Sequence, residues 1–305
     1  MLTDLVWAHA ARAAAQRALA HERPRAVIYC SSTAALLWPR PGAIRFDTLA
    51  SANRPGRHGL WQRPVERRRL REAPMLLPMS AGGLAEHGPI GRRSAADAGE
   101  AALPATGDPS GAGAVVVPMP VEPSGPIDGR RDVAALTYAA NPAKKATDRV
   151  LRAWQAARRE DEELVVAGCR PSDLARAGID AASLGGVRVA GRLAPAEYRS
   201  LLRRARVFLC APLREDYGIA QLEALADGCV LVSAPAAGPY VALPIARSLD
   251  ARFVSDDLPR ALRAALDDAP PAYAERAREA LAPFSRAAVD RQVAERLLPR
   301  LLAAG

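Results

Sequence analysis

Short apolar runs alternate with amphipathic segments along the second half of the chain. Segments such as DRVLRAWQAARRE and DLPRALRAALDD keep their apolar residues three and four apart, which is the spacing of an α-helix. Short buried strands that alternate with helices predict a parallel sheet covered on both faces, the doubly wound α/β fold. A last amphipathic helix is predicted over residues 285–302. The predicted strands are VAALTY (133–138), ELVVAG (163–168), VRVAG (187–191), RVFLCA (206–211), CVLVS (229–233) and ARFV (251–254).

The first half shows the same alternation less regularly. A nucleotide-binding domain of this class usually opens with a strand and a glycine-rich turn, whereas a helix is predicted here over residues 4–21, so this domain is expected to be shortened at its start. Neither G-x-G-x-x-G nor G-x-x-x-x-G-K-S/T occurs, which argues against a dinucleotide oxidoreductase and a P-loop NTPase. The predicted strands are AVIYC (26–30), AIRF (43–46), MLLP (75–78) and AVVVP (114–118), with a helix over VERRRLREA.

A chain of 305 residues has room for two domains. A Pro-, Gly-, Ala- and Ser-rich stretch over residues 88–112 and the segment EPSGPIDGRR (122–131) separate the halves, since clustered Pro and Gly disfavour helix and strand. The second of these segments is interpreted as an interdomain hinge. We therefore predict an N-terminal Rossmann-like domain over residues 1–128 and a C-terminal one over residues 129–305, which includes the last helix.

The composition is that of an ordinary globular protein. No apolar run approaches the roughly 18 to 20 residues that a membrane-spanning helix needs, and charges interrupt the N-terminal segment from Asp4 onward. A cytoplasmic location without a signal peptide is therefore expected. The cysteines have neither the spacing of a zinc site nor the density of a disulfide scaffold, so all are predicted to be buried thiols. They are Cys30, Cys169, Cys210 and Cys229.

The formal net charge is +9, and its densest patch is Arg54–Arg71, where seven arginines face one acidic residue, Glu66. This patch either meets an anionic acceptor or the inner face of a membrane, as a peripheral contact, or it is a solvated helix face. A nucleic-acid partner is not predicted, because aromatic residues make up only 5% of the chain and no binding motif accompanies the charge.

Lysine is almost absent. Of 42 basic residues only two are lysine, and these are the adjacent Lys144 and Lys145. Where arginine is used nearly everywhere, a compact ammonium group indicates a site that needs a point charge instead of a planar fork.

The segment Arg214–Ser233 has the features of a diphosphate site. Strand RVFLCA leads the chain to the carboxyl edge of the sheet, where doubly wound folds bind ligands. Gly218 then allows a tight turn, and IAQLEALAD is predicted as a helix whose first N–H groups and positive dipole end face that edge. Glu215 and Glu223 lie on either side of the turn. Their carboxylates suit the hydroxyls of a hexose and a ribose, because they would repel the phosphates.

The pattern E-x7-E, with a glycine three residues after the first Glu and then an Ala-rich helix, a Gly and an apolar strand, resembles the donor motif of glycosyltransferase family four (group 1). The resemblance covers residues 130–300 well and residues 25–125 loosely. It implies a GT-B fold, with two Rossmann-like domains and a cleft between them. It also implies metal-independent transfer of a sugar from a UDP- or GDP-linked donor to an acceptor hydroxyl, with retention of configuration and no cofactor. The acceptor is a glycan, a lipid or a small molecule.

The resemblance assigns roles to particular residues. Glu215 is implied to contact the hydroxyls of the donor sugar and Lys145 to meet the diphosphate, and these two are the predicted catalytic residues. The other implied donor-binding residues are Arg192 near the base, Gly218, Ile219 and Ala220 through their backbone N–H groups, and Glu223 at the ribose.

The sequence departs from the family at two further places. The family pairs its lysine with an arginine about five residues earlier, where this chain has Asn141, which donates hydrogen bonds without charge and is kept as a donor-binding candidate. The family's His-Asp pair in the first domain is replaced by Phe46-Asp47. Asp47 and His58 are the acceptor-side candidates, with a surface or capping role as the alternative for each. A second hypothesis is a catalytically incomplete homologue that binds the donor and needs a partner or a longer N-terminus.

Overall fold

The computed structural model describes residues 2–54, 56–86, 113–126 and 131–303. The chain divides into two compact units. The first comprises Met1–Met119 with Ala287–Gly305, and the second comprises Pro120–Arg286. Within the described ranges, no helix combines the length and the apolar character needed to cross a membrane.

The first unit contains a three-stranded parallel sheet in the order β1-β2-β3. Successive residues of β2 point to opposite faces, so Ile44 and Phe46 pack in one apolar cluster with Trp38, whereas Ala43 packs in a second cluster with Leu77. The sheet is therefore covered on both faces. The elements of the first unit up to residue 85 are α1 (Leu2–His21), β1 (Ile28–Tyr29), α2 (Ser32–Ala35), β2 (Ala43–Phe46), α3 (Ala50–Asn53), α4 (Gln62–Glu72), β3 (Leu76–Pro78) and α5 (Ala81–Ala85).

The second unit contains a five-stranded parallel sheet in the order β6-β5-β4-β7-β8. The chain builds outward from β4 in one direction and then returns to add β7 and β8 on the other side. The doubly wound arrangement predicted from the sequence is thus present. The elements are β4 (Val133–Tyr138), α6 (Thr147–Ala157), β5 (Leu164–Ala167), α7 (Pro171–Arg176), β6 (Val187–Gly191), α8 (Pro195–Arg204), β7 (Ala205–Cys210), α9 (Ile219–Ala226), β8 (Val230–Ser233), α10 (Ala242–Leu249), α11 (Leu258–Asp267) and α12 (Tyr273–Ala280).

The C-terminal helical segment follows as α13 (Arg286–Gln292), a π-helical turn over Val293–Leu297, and α14 (Leu298–Ala303). It was predicted as one helix of the second domain, but from Ala287 onward it belongs to the first unit. The reason is packing, since Val289, Leu297 and Leu301 join the apolar cluster beneath the first sheet. The unit boundary accordingly lies at Met119 instead of residue 128.

Two predicted strands are not formed. Residues 114–118 make only a single bridge, between Leu76 and Ala114, although the N–H groups of Val115 and Val117 still donate to carbonyls of the neighbouring β3 at 2.9 Å. Residues 251–254 form a 3₁₀ turn over Ala251–Phe253 and one bridge. The preceding Asp250 causes this turn, because its carboxylate accepts the backbone N–H two residues on, at 3.0 Å.

The predicted hinge EPSGPIDGRR is anchored in the second unit as far as the structure describes it. The N–H and hydroxyl of Ser124 donate to Asp227 at 2.7 and 2.9 Å, and the Glu122 carboxylate accepts the N–H of Arg286 at 2.5 Å. Residues 122–126 are therefore a bonded part of that unit and not a free linker. Residues 127–130 and the stretch 88–112 lie outside the described residues.

The cysteine prediction was right for three of the four residues. Cys169, Cys210 and Cys229 are buried, and burial raises the pKa of the Cys229 thiol to about 12, so this group is inert. Cys30 is exposed, and the prediction was wrong there. It directly follows the short strand β1, where the chain leaves the sheet.

Trp154 provides a test of the core of the second unit. Its side chain is fully buried, and its indole N–H donates to the carbonyl of Gly186 at 3.0 Å. Trp154→Phe removes that hydrogen bond and leaves a cavity, so we expect the free energy of unfolding to fall by about 1 to 3 kcal/mol. Urea unfolding measures the change. Trp7→Phe is the control, because Trp7 is 65% exposed, and its effect should stay within about 0.5 kcal/mol. Equal losses in the two variants would contradict this account of the core.

Candidate active site

The candidate site lies where two loops leave the carboxyl ends of β4 and β7. These strands are paired neighbours, and the strand order of the sheet reverses between them. In doubly wound sheets the crevice at such a reversal is the place where ligands bind. The first loop carries Asn141 and Lys145, and the second carries Glu215 and Gly218. The fold therefore brings predicted donor-site residues together from two distant parts of the sequence.

An ion pair joins the two loops. The Lys145 ammonium lies 2.5 Å from Oε2 of Glu215, and the side-chain amide of Gln221 donates to the same oxygen at 3.0 Å. Glu215 is buried, so its charge is stabilised by these two donors and not by water. The adjacent Lys144 reaches Asp216 at 3.2 Å, but its side chain is 49% exposed against 24% for Lys145. Of the two lysines, Lys145 is the one held in the site.

The loop that carries Lys145 is tightly wound. The side-chain oxygen of Asn141 accepts the backbone N–H of Lys144 at 3.1 Å, and its backbone oxygen accepts that of Lys145 at 3.0 Å. Ala146 follows with a φ of +46°, and it is the one non-glycine residue with positive φ among those described. Such a conformation costs about 1 to 2 kcal/mol in a residue with a Cβ atom, and strain of this kind clusters at functional sites. Asn141 thus shapes the loop, and its predicted contact with the donor stays a prediction.

Gly218 is the turn residue before α9. Its φ is +90°, and an added Cβ would lie 3.1 Å from the ring of Tyr240, so a side chain is disfavoured both by backbone strain and by crowding. The helix that follows has its first N–H groups, including those of Ile219 and Ala220, at its positive end. The N-terminus of α9 can therefore receive an anion.

The loop after β8 fixes the backbone of Glu215. The N–H of Glu215 donates to the carbonyl of Ala237 at 3.0 Å, and the carbonyl of Glu215 accepts from Tyr240 at 3.2 Å. A Cβ at Gly238, which has a φ of +98°, would lie 2.4 Å from that same carbonyl. This close approach leaves Glu215 little freedom to move.

Glu223 lies further along α9 and faces α8. One of its oxygens is 3.5 Å from Nη1 of Arg199, whose Nε also donates to the fully buried Asp227 at 2.7 Å. Burial raises the pKa of Glu223 above its ordinary value of 4.5. Arg199 opposes this increase, and Asp227 adds to it. The guanidinium of Arg199 is thus shared between Glu223, which is predicted to bind the ribose, and the buried Asp227.

Two residues of the site were not found by sequence reasoning. Gln221 is 2% exposed, orients Glu215, and has an amide oxygen without a hydrogen-bond partner among the described residues. It is the one uncharged polar residue in the helix IAQLEALA, which is apolar apart from it and Glu223, and this signal was available in the sequence. Arg199 had no such signal, because one arginine in an arginine-rich chain does not stand out.

The other predicted site residues lie apart from these side chains in the described part of the chain. Arg192 follows β6, is largely exposed, and lies 3.7 Å from Asp173, with no recorded contact to another predicted donor residue in the described part of the chain. In the first unit, Asp47 accepts the N–H of Thr48 at 2.7 Å, as a turn residue does. His58 lies in the 3₁₀ turn Arg57–Gly59, and its side chain is outside the described part. Over the described ranges, no group of three or more His, Cys, Asp or Glu residues is placed to hold a metal ion.

Comparison with known proteins identifies a matching family model and similar folds. Residues 133–269 match the family model described as glycosyl transferases group 1. The crystal structure of WaaG, a glycosyltransferase involved in lipopolysaccharide biosynthesis, has a TM-score of 0.60 at 16% identity over 90% of this chain and 80% of that chain. For an α,α-trehalose-phosphate synthase (UDP-forming) from Burkholderia xenovorans, in complex with glucose-6-phosphate, the TM-score is 0.68 at 15% identity over 97% and 77%. For HepE from Anabaena, in complex with UDP and glucose, it is 0.59 at 13% identity over 87% and 74%. Among curated proteins, none matches the sequence.

These findings confirm the predicted GT-B fold, and they confirm the resemblance to group 1 glycosyltransferases over residues 133–269. The matched residues cover the sheet of the second unit and both loops of the candidate site.

The raised pKa of Glu223 predicts how its removal affects stability. A carboxyl group whose pKa is raised on folding favours the folded state when protonated, and this stabilisation is lost as the pH rises from 4.5 through the folded-state pKa. Glu223→Gln is therefore expected to increase the free energy of unfolding at neutral pH, with the gain shrinking to nothing as the pH falls towards 4.5. Urea unfolding at a series of pH values measures this gain. Glu160→Gln, at an exposed position, is the matched control. A stability loss in Glu223→Gln at neutral pH would contradict the raised pKa of Glu223.

Proposed function

We propose that this chain transfers a sugar from a nucleotide-sugar donor to an acceptor hydroxyl, and that the donor binds in the crevice between β4 and β7. One observation carries the proposal. Lys145, from the loop after β4, is held 2.5 Å from Glu215, which lies three residues before the turn into the N-terminus of α9. An ammonium group and a positive helix end thus converge at the strand reversal, and a diphosphate is the ligand that matches them.

The chemistry follows from where charge develops. When the bond between the anomeric carbon and the phosphate oxygen breaks, negative charge builds on the nucleoside diphosphate, and a cation with aligned N–H groups stabilises it. In this proposal Lys145 leaves Glu215 to meet the phosphates, and Glu215 then accepts hydroxyls of the donor sugar. Lys145 and the start of α9 supply the positive charge, so the reaction is proposed to need no metal.

The stereochemical outcome and the donor are proposed from the resemblance. Retention follows if the acceptor hydroxyl attacks from the face that the leaving phosphate vacates, with that phosphate as the base. Glu223 holds the ribose of a UDP- or GDP-linked sugar. UDP is the nucleotide to test first, because the structure of HepE contains UDP and glucose and the trehalose-phosphate synthase is UDP-forming. A cytoplasmic location stays a prediction.

The alternative, a donor-binding homologue without activity of its own, has one observation in its favour. The sheet of the first unit has three strands within the described ranges, against five in the second. Donor hydrolysis or sugar transfer by the purified chain decides between the two. Nucleotide-sugar binding without either reaction would favour the alternative.

The two adjacent lysines allow a matched test of the phosphate contact. Lys145→Ala removes the ammonium from the crevice and is expected to weaken binding of UDP-sugars by roughly 10- to 100-fold, as loss of a charge-assisted contact does. Lys144→Ala, which removes the same charge one residue away, should change binding by less than about threefold, because the Lys144 side chain is 49% exposed and pairs with Asp216 instead of Glu215. Thermal unfolding with a panel of sugar nucleotides measures both. Unchanged protection in Lys145→Ala would refute the donor site.

Arg199 allows a test of the ribose contact. Arg199→Lys keeps a charge near Asp227 but replaces the two guanidinium nitrogens that reach Glu223 and Asp227 separately with a single nitrogen, so the orientation of Glu223 is weakened. We expect binding of UDP to weaken roughly tenfold, while binding of inorganic pyrophosphate, which has no ribose, stays unchanged. Titration calorimetry measures both ligands. Equal weakening of the two would show that Arg199 supports the unit as a whole.

A further inference from the structure

Helix α1 exposes apolar side chains. Val6 and Trp7 are each 65% exposed, and Leu60, in the loop before α4, is 60% exposed. Apart from Leu213, no other large hydrophobic side chain among the described residues is as exposed as these three. A solvent-facing Trp beside a solvent-facing Val loses hydrophobic stabilisation in the free protein, so a surface that covers both would recover it.

Polar contacts join the helix to the loop that carries Leu60. Asp4, in the first turn of α1, lies 3.3 Å from the guanidinium of Arg54. The backbone carbonyl of Arg54 accepts from Arg63 at 2.5 Å, and the same guanidinium nitrogen of Arg63 donates to Gly56 at 3.0 Å. Trp7 follows Asp4 by three residues and so lies on the same side of α1. The Asp4–Arg54 ion pair thus places the start of α1 beside the segment that carries Leu60 and leads into α4.

This surface is positively charged. Arg57, Arg67 and Arg71 are exposed, and none of them forms an ion pair within the part of the chain that the structure describes. The acidic residue of the patch does not offset them, because Glu66 is 4% exposed and accepts the N–H of Ala50 at 2.8 Å inside the unit. Arginine charges therefore lie beside the exposed apolar side chains without local neutralisation.

We propose that the α1–α4 surface, defined by Val6, Trp7, Leu60, Arg57 and Arg67, binds the anionic lipid face of a membrane. Trp is the side chain that best occupies the headgroup level, Val and Leu insert below it, and arginines are attracted to anionic headgroups. A nucleic acid would engage the arginines but would leave Val6 and Leu60 uncovered. A lipid surface accounts for both the exposed arginines and the exposed apolar side chains. The proposal is independent of the donor site, which lies in the other unit.

Vesicle flotation with the full chain tests the charge component. We expect binding to vesicles of equal parts phosphatidylcholine and phosphatidylglycerol, little binding to phosphatidylcholine alone, and release as salt is raised. The double variant Arg57→Gln/Arg67→Gln should bind the anionic vesicles about 25-fold more weakly, since each arginine near such a surface contributes about fivefold. Arg152→Gln/Arg176→Gln is the control. It removes the same charge from two exposed positions of the second unit and should bind like the parent chain.

Trp7 tests the apolar component. Trp7→Ala should reduce binding to the anionic vesicles at least severalfold, whereas Leu298→Ala, at a side chain 44% exposed on α14, should not. The tryptophan emission of the parent chain should shift to the blue on vesicles, and Trp7→Phe should abolish the shift. An unchanged urea midpoint in each variant shows that the fold is intact.

Three results would overturn the proposal. They are equal binding to neutral and anionic vesicles, equal losses in the two double arginine variants, and capture by duplex DNA at the same salt with no dependence on Trp7. The last result would assign the surface to nucleic acid instead.

Discussion

Parallel strands end at the same edge of a sheet, so the loops that follow β4 and β7 begin side by side wherever these two strands are neighbours. The reversal of strand order makes them neighbours while sending the intervening elements, β5 and β6, to the other side. This constraint puts Lys145 against Glu215, although 70 residues separate them in the chain. The same constraint places the ammonium of Lys145 beside the segment that leads through Gly218 into α9. Without the reversal the same residues would have no common location.

Two of the charged side chains around the candidate site each bind two partners. Glu215 accepts from Lys145 and Gln221, and Arg199 serves both Glu223 and Asp227. Asp227 in turn binds the N–H and hydroxyl of Ser124. The segment around Ser124, which precedes the second sheet, is thereby bonded to the end of α9, the helix that carries Glu223. Buried charges held this way are costly to leave unpaired, which keeps the side chains in place before any ligand arrives.

The site also retains features that reduce stability. Ala146 holds a left-handed backbone next to Lys145, and Glu223 is kept in surroundings that favour its protonated form. Both lie where a diphosphate and a ribose are proposed to bind. A ligand that binds the folded state at Lys145 and Glu223 would add its binding free energy to the stability of the fold and so offset these costs.

Much of the fold was predictable from the sequence. The strands at 43–46, 133–138 and 187–191 were placed at their observed bounds. The first two are buried short apolar runs, as a strand between two layers of helices must be, whereas the edge strand 187–191 is only partly buried. The glycine turn and helix after Glu215 were predicted for a similar reason, since Gly218 and the apolar periodicity of α9 are local properties.

Local sequence patterns therefore specify most of the strands and helices, the doubly wound class and the candidate donor residues. Tertiary contacts specify which of these residues meet. They placed the C-terminal helices in the first unit through Val289, turned residues 251–253 through Asp250, and fixed residues 122–126 through Asp227. Local patterns follow from backbone geometry and the burial of neighbouring residues, whereas these contacts join residues far apart in sequence and exist only once the chain has folded.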